Sequence, residues 1–191
     1  MARRLAVLAS GRGTNLEAIL DAVREGRLAA EVALVVSDRP SPALARAQRA
    51  RVPALYLPKP RGTPRERYDA RLADHTAAAR PDLVVLAGWM RILTPAFLDR
   101  FPGRVINLHP ALPGAFPGLD AIRRSYRAFQ RGEVESGGVM VHYVVPEVDA
   151  GPVILAEPVP IEPGESLEAF EARVHRVEHR LLVEAIRRQL G

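Results

Sequence analysis

The sequence predicts an α/β protein: a mostly parallel, twisted sheet with helices on both faces. Three observations lead there. Short apolar runs recur at 5–9, 32–36, 83–87 and 105–108, the last interrupted by Asn107, as expected of strands covered on both faces. Amphipathic stretches of helical length separate these runs. The first run also opens into Ser10-Gly11-Arg12-Gly13-Thr14-Asn15 directly before a helix, a turn that joins a strand to a helix in such folds.

The elements follow in order. A strand at 5–9 is followed by a helix at 16–24, a strand at 32–36, a helix at 43–50 and a short strand at 54–57. Thr63-Pro64-Arg65-Glu66 reads as a helix start, with Thr63 as N-cap, Pro64 at the first position and Glu66 closing a capping box. That helix runs to about Arg80, because Pro81 ends the pattern. The run at 83–87 is the clearest buried strand, and a loop at 88–93 with the only tryptophan leaves its end. Thr94-Pro95 starts a helix ending near Phe101. The strand at 105–108 then enters a loop rich in Pro and Gly. A helix at 119–131, strands at 139–145 and 153–156, and a last helix at 166–189 complete the pattern.

Composition narrows the function. A chain of 191 residues fits one domain with a sizeable core. No apolar run approaches the roughly 20 residues of a membrane span. The start resembles a signal peptide, but its apolar part is too short, so a cytoplasmic protein with no membrane partner is expected. The absence of cysteine excludes disulfides, Cys-ligated zinc and a thiol nucleophile. A net charge of +5 comes almost wholly from arginine, Lys59 being the only lysine. The arginines are scattered, pair with acids on predicted helices, and are not interleaved with aromatics, so small anionic substrates are expected and nucleic acid is not. A monomer or a homodimer is equally compatible.

Asn107 and His109 provide a candidate for chemistry. They stand two apart at the end of a strand, so period-two alternation points both the same way. Histidine gains or loses a proton near neutrality, and asparagine offers both a donor and an acceptor. The pair suits acyl transfer, in which an amine attacks a carbonyl and an oxyanion needs stabilising. A capped turn with an ordinary loop histidine is the plain alternative. The chain holds only two asparagines, Asn15 and Asn107, and both follow predicted strands.

The Gly-rich turn at 11–15 has three readings. Its backbone amides at a helix start suit a sugar phosphate, and a simple tight turn is also possible. A dinucleotide site, with Asp38 as the ribose-binding acid, lacks the third glycine, which is Leu16 here. The Trp89 loop either lines a flat aromatic ligand or plugs the core. Asp149 reads as a turn aspartate, and Arg65 as a solvated first-turn arginine. His175-Arg176-Val177-Glu178-His179 fits an inverted zincin pattern, but no cysteine or histidine follows it to complete a zinc site. His75 and His175 look like solvated helix positions.

The segment Asn107-Leu108-His109-Pro110 resembles the Asn-x-His-Pro loop of the folate-dependent formyltransferases, and the similarity extends from about residue 4 to the last helix. It implies a Rossmann-like formyltransferase fold and formyl transfer from 10-formyltetrahydrofolate, a co-substrate, to the amine of glycinamide ribonucleotide in purine biosynthesis, without a metal. Residue by residue, Asn107, His109 and Asp149 match the catalytic positions, Asp149 lying in the family's Asp-x-Gly-Pro. Gly13, Thr14 and Asn15 match the Gly-Ser-Asn that holds the ribonucleotide phosphate, and Glu178 matches a glutamate at its glycinamide end. Arg65 and the loop residues Met90, Arg91, Ile92 and Leu93 match the folate side, together with Asn107. The resemblance divides a single domain, 1–191, into a phosphate-binding half to about residue 100 and a catalytic and folate half at about 101–191. Family branches with an added tRNA-binding or regulatory domain are not expected, and a non-catalytic phosphosugar-binding module is the rival from another class. Pro113-Gly114 and Met140 depart from the family pattern.

Overall fold

The chain opens with β1 (Arg3–Leu8), α1 (Thr14–Arg24), β2 (Ala30–Ser37), α2 (Pro42–Arg49) and β3 (Ala54–Tyr56). It continues through α3 (Arg65–Ala78), β4 (Leu83–Leu86), α4 (Pro95–Leu98) and β5 (Val105–His109). It ends with α5 (Ala121–Gln130), β6 (Ser136–Tyr143), β7 (Val153–Pro160) and α6 (Leu167–Leu190). This computed structural model describes residues 2–191, and their strands form a seven-stranded sheet in the order β3-β2-β1-β4-β5-β6-β7. The pairs from β3 to β5 are parallel, whereas β6 and β7 join antiparallel.

Alternation along β1 shows why its apolar run is unbroken. Leu5 and Val7 enter a core with Leu16 and Ile19 of α1 and Phe170, Val174 and Ile186 of α6. Ala6 and Leu8 enter a second core with Tyr68 and Leu72 of α3 and Phe97 of α4. Both faces are dry, so neither tolerates a polar residue. The α/β fold with helices on both faces is therefore as the sequence predicts.

Several boundaries differ for local reasons. Helix α3 starts at Arg65 with Pro64 at the cap position and no side-chain cap bond, so Thr63 does not form the expected box. At α6 the cap is real, because Ser166 Oγ accepts from the Ala169 amide at 3.2 Å. Strand β6 begins earlier than expected, at Ser136, through two glycines that usually weaken a strand. A Cβ on Gly137 would lie 2.6 Å from the Phe170 ring, so α6 packs on bare backbone there. Strand β7 runs on through Pro158 and Pro160, which is allowed because it is an edge.

The order of strands locates the site. From β1 the chain winds outward through β2 to β3, then returns to lay β4 on the other side of β1. Loops after β1 and β4 therefore diverge at a topological switch point, where open α/β sheets bind ligands. The two loops are tied together: the Ser10 amide donates to the Gly88 carbonyl at 3.0 Å, and the Met90 amide donates to Ser10 Oγ at 3.0 Å.

Gly13 caps α1 with φ +74°, and a Cβ there would lie 2.8 Å from the Ala43 Cα. Gly13→Ala should therefore cost about 2 kcal/mol or more, from a strained conformation and a clash with backbone. A Cβ on Gly11 meets nothing within 4 Å, so Gly11→Ala should stay within about 0.5 kcal/mol of the parent. Urea unfolding of both variants checks this, and equal stabilities would contradict the packing described.

Candidate active site

Three segments converge on one carboxylate. Asp149 lies in the loop between β6 and β7 with φ +52°, a left-handed conformation that Asp tolerates better than most residues. Its Oδ2 accepts the Gly118 amide at 2.8 Å and lies 3.3 Å from His109 Nδ1. Its Oδ1 accepts Asn107 Nδ2–H at 3.2 Å and lies 3.5 Å from His142 Nε2. Asn107 and His109 do share a face of β5, as their spacing predicts, and Asp149 joins them.

Sequence reasoning missed His142 as a site residue. It pairs with Asn107 across the antiparallel β5–β6 ladder, and only that register brings it to the site. Its Nδ1–H donates to the Tyr143 carbonyl at 2.8 Å, leaving Nε2 to accept from Asn107 Nδ2 at 3.1 Å. Both amide protons of Asn107 are thus engaged, and among the described residues its oxygen has no partner. Of the donor and acceptor that the sequence offered, the acceptor is the one left open here.

His109 is held between two acceptors. Its Nε2–H donates to the Phe116 carbonyl at 3.1 Å, while Nδ1 faces Asp149. Only the imidazolium can donate from both nitrogens. Burial works against that charge and is the largest influence, so the pKa of His109 falls below its ordinary value even though Asp149 and the Phe116 carbonyl pull it upward. Burial thus opposes the imidazolium that Asp149 and the Phe116 carbonyl favour. For Asp149 burial alone would raise the pKa, but the Gly118 amide and the neighbouring imidazoles together outweigh it and hold the carboxyl below its ordinary value.

These groups line a cavity of about 740 Å³, a size common for ligand sites. At one end are Gly13, Thr14 and Asn15, the start of α1, which has no side-chain cap. Its first amides are open, as at any such helix end. Glu178 and His175 of α6 face the same end. Glu178 is buried, and its Oε2 lies 2.7 Å from His175 Nδ1. His175 is therefore not a solvated helix position. Its zincin-like partner His179 opens onto a different cavity.

The loop after β4 lines the same cavity. Met90 and Ile92 are half exposed, at 51% and 47%, and present apolar surface to the cavity, while Leu93 and Trp89 are buried. Trp89 therefore serves the core. Arg65 Nη2 donates to the Ile92 carbonyl at 2.5 Å, and the Thr94 amide donates to buried Asp69 at 2.7 Å. Arg91 Nε donates to Asp38 at 2.8 Å and lies over the Tyr68 ring. Asp38 is thus occupied in holding this loop, which removes it as a ribose-binding acid.

Folding lowers the pKa of both His109 and Asp149, so the unfolded chain binds more protons and their contribution to stability grows with pH. The His109 share is complete above about 6.5 and is lost as pH falls through its lower folded value. The Asp149 share is lost further into acid. His175 opposes this, because Glu178 raises its pKa and its share of stability is lost as pH rises through that higher folded value. Urea unfolding between pH 7 and 5 should show the parent protein losing stability relative to His109→Gln. Parallel pH profiles for the two would contradict a buried, reluctant imidazole.

With this geometry in view, residues 3–186 match the family model described as formyl transferase. The phosphoribosylglycinamide formyltransferase of Schizosaccharomyces pombe is 44% identical, with 97% of this chain and 96% of that protein covered. The phosphoribosylglycinamide formyltransferase of Escherichia coli is 40% identical over 92% of this chain and 81% of its own length. The crystal structure of glycinamide ribonucleotide transformylase 1 from Geobacillus kaustophilus superposes with a TM-score of 0.92 at 44% identity, covering 100% of both chains. Site, fold and sequence agree: the chain belongs to the formyl transferase family.

Proposed function

We propose that the protein transfers the formyl group of 10-formyltetrahydrofolate to the amine of glycinamide ribonucleotide, a step of purine biosynthesis. One observation carries the chemistry: the Asp149 carboxylate gathers Asn107, His109 and His142 at the wall of a cavity on the strands' carboxyl ends. Family membership supplies the reaction class. The names of the relatives supply the nucleotide substrate.

In this reading the ribonucleotide phosphate sits on the open amides at Gly13, Thr14 and Asn15, where the helix dipole favours an anion. Glu178 accepts from hydroxyl or amine groups toward the glycinamide end. Formyl-folate lies along Met90, Arg91, Ile92 and Leu93, with Arg65 fixing the loop through the Ile92 carbonyl. Residues to about 100 hold the phosphate, those from about 101 carry the catalytic groups, and the β4 loop lies at the seam. Folate is a co-substrate that leaves as tetrahydrofolate. The donors and acceptors needed are the chain's own, without a metal.

The amine nitrogen attacks the formyl carbon, and the carbonyl electron pair moves to oxygen. The Asn107 oxygen, without a partner among the described residues, accepts an N–H of the attacking amine and aims its lone pair. His109 Nε2–H turns from the Phe116 carbonyl to the developing oxyanion, whose charge offsets the cost of a buried imidazolium. Asp149 keeps the ring oriented and makes protonation accessible. Collapse breaks the bond from carbon to folate nitrogen. His109, as the imidazolium, gives that nitrogen a proton, and the proton lost by the amine returns to His109, so acid is neither consumed nor produced.

The test is to mix the protein with 10-formyltetrahydrofolate and glycinamide ribonucleotide and follow tetrahydrofolate release. The parent protein should turn over, and failure with both substrates present would contradict the assignment. Asn107→Ala should lower kcat about 100-fold, the scale for losing one aligned polar group at a reacting centre. Arg65→Ala should raise KM for formyl-folate several-fold while leaving the ribonucleotide KM within about a factor of two. Equal effects on both constants would move Arg65 away from the folate side.

A further inference from the structure

His175 joins the two halves of the phosphate end. Its Nδ1–H donates to Glu178 Oε2 at 2.7 Å, and its Nε2 lies 3.4 Å from Arg12 Nη2. When the ring is neutral with the hydrogen on Nδ1, Nε2 can only accept, and the contact is then Arg12 donating to the imidazole lone pair. Arg12 is exposed and stands in the turn beside Gly13, and both Arg12 and His175 line the cavity.

We propose that His175 couples ribonucleotide binding to proton uptake, releasing Arg12 from α6 so that both cations meet the phosphate. The inference rests on the placement of the phosphate at residues 11–15. In the free protein Arg12 is folded against α6 by the imidazole lone pair. Protonating Nε2 turns that attraction into repulsion between like charges, and Arg12 swings away. A phosphate dianion between them removes the repulsion, because each nitrogen can then donate to a different phosphate oxygen. Phosphate and proton therefore favour each other's binding, as linkage requires.

The groups facing His175 are balanced for such a response. Glu178 and Glu171 on its own helix favour the cation, Arg12 from the β1–α1 turn opposes it, and His179 lies one turn on. Glu178 dominates, so the pKa of His175 lies above its ordinary value before any ligand arrives. An anion in place of Arg12's opposition moves it further in the same direction.

Calorimetry of glycinamide ribonucleotide binding at pH 8, in two buffers of different ionisation enthalpy, counts the protons taken up. The parent protein should take up roughly half a proton more per ligand than His175→Gln. Its affinity should fall up to about tenfold more steeply than the variant's between pH 7 and 9, one unit of pKa being tenfold in binding. The ligand's own phosphate and amine titrate alike in both experiments and cancel. Equal uptake by the two proteins overturns the inference. Ribonucleotide binding that is unaffected by Gly11→Trp, which fills the turn, would instead overturn the phosphate placement.

A second measurement needs no variant of His175. In the parent protein, the imidazole resonances of His175 should titrate about one unit or more higher with the ribonucleotide bound. An unchanged midpoint in a protein that binds the ligand would contradict the coupling.

Discussion

Everything in the site depends on one half-buried carboxylate with four contacts. Asp149 lies 3.3 Å from His109 and 3.5 Å from His142, and it accepts from Asn107 at 3.2 Å and from the Gly118 amide at 2.8 Å. Such a group is costly to bury and becomes stabilising only when its lone pairs are met. The strands β5 and β6 and the loop at 110–118 supply those partners, so the carboxylate ties all three to its own loop at 146–152. Removing any one partner leaves the others on a half-satisfied charge, which makes the cluster cooperative.

The backbone that carries Asp149 is built to hold that position. A Cβ on Gly151 would lie 1.8 Å from the Tyr143 carbonyl oxygen, so only glycine lets the loop pass. The same carbonyl accepts His142 Nδ1–H, and the Tyr143 amide donates to the Pro152 carbonyl at 2.9 Å. The close approach at Gly151 thus sets the loop carrying Asp149 and the tautomer of His142 together. At the other end of the cavity Gly13 does comparable work, bringing the start of α1 against α2.

What was legible in the sequence was whatever depends on local pattern. Unbroken apolar runs revealed the buried strands, and a spacing of two revealed the shared direction of Asn107 and His109. Ser166 announced α6, and the Gly-rich turn announced the open start of α1. What was not legible depends on register between distant segments. His142 becomes a neighbour of Asn107 only through an antiparallel pairing 35 residues apart, and the Phe116 carbonyl is invisible to any side-chain pattern. Thr63 looked like a cap but was passed over. Asp38 looked like a ribose ligand until Arg91, 53 residues on, proved to be its partner. The role of Asp149 came from resemblance to a family, because a turn aspartate carries no signal of its own.

The central claim is that Asp149 acts through His109. A double-mutant cycle on formyl transfer tests it most directly, using Asp149→Asn, His109→Ala and the pair. Asp149→Asn keeps shape while removing charge, and it should lower kcat about 100-fold or more, least at the acid end, where low pH restores the imidazolium. Adding His109→Ala should then cost far less than it does alone, because groups that work as a unit are lost as one. Losses that simply multiply would show that the two act independently and would contradict the account.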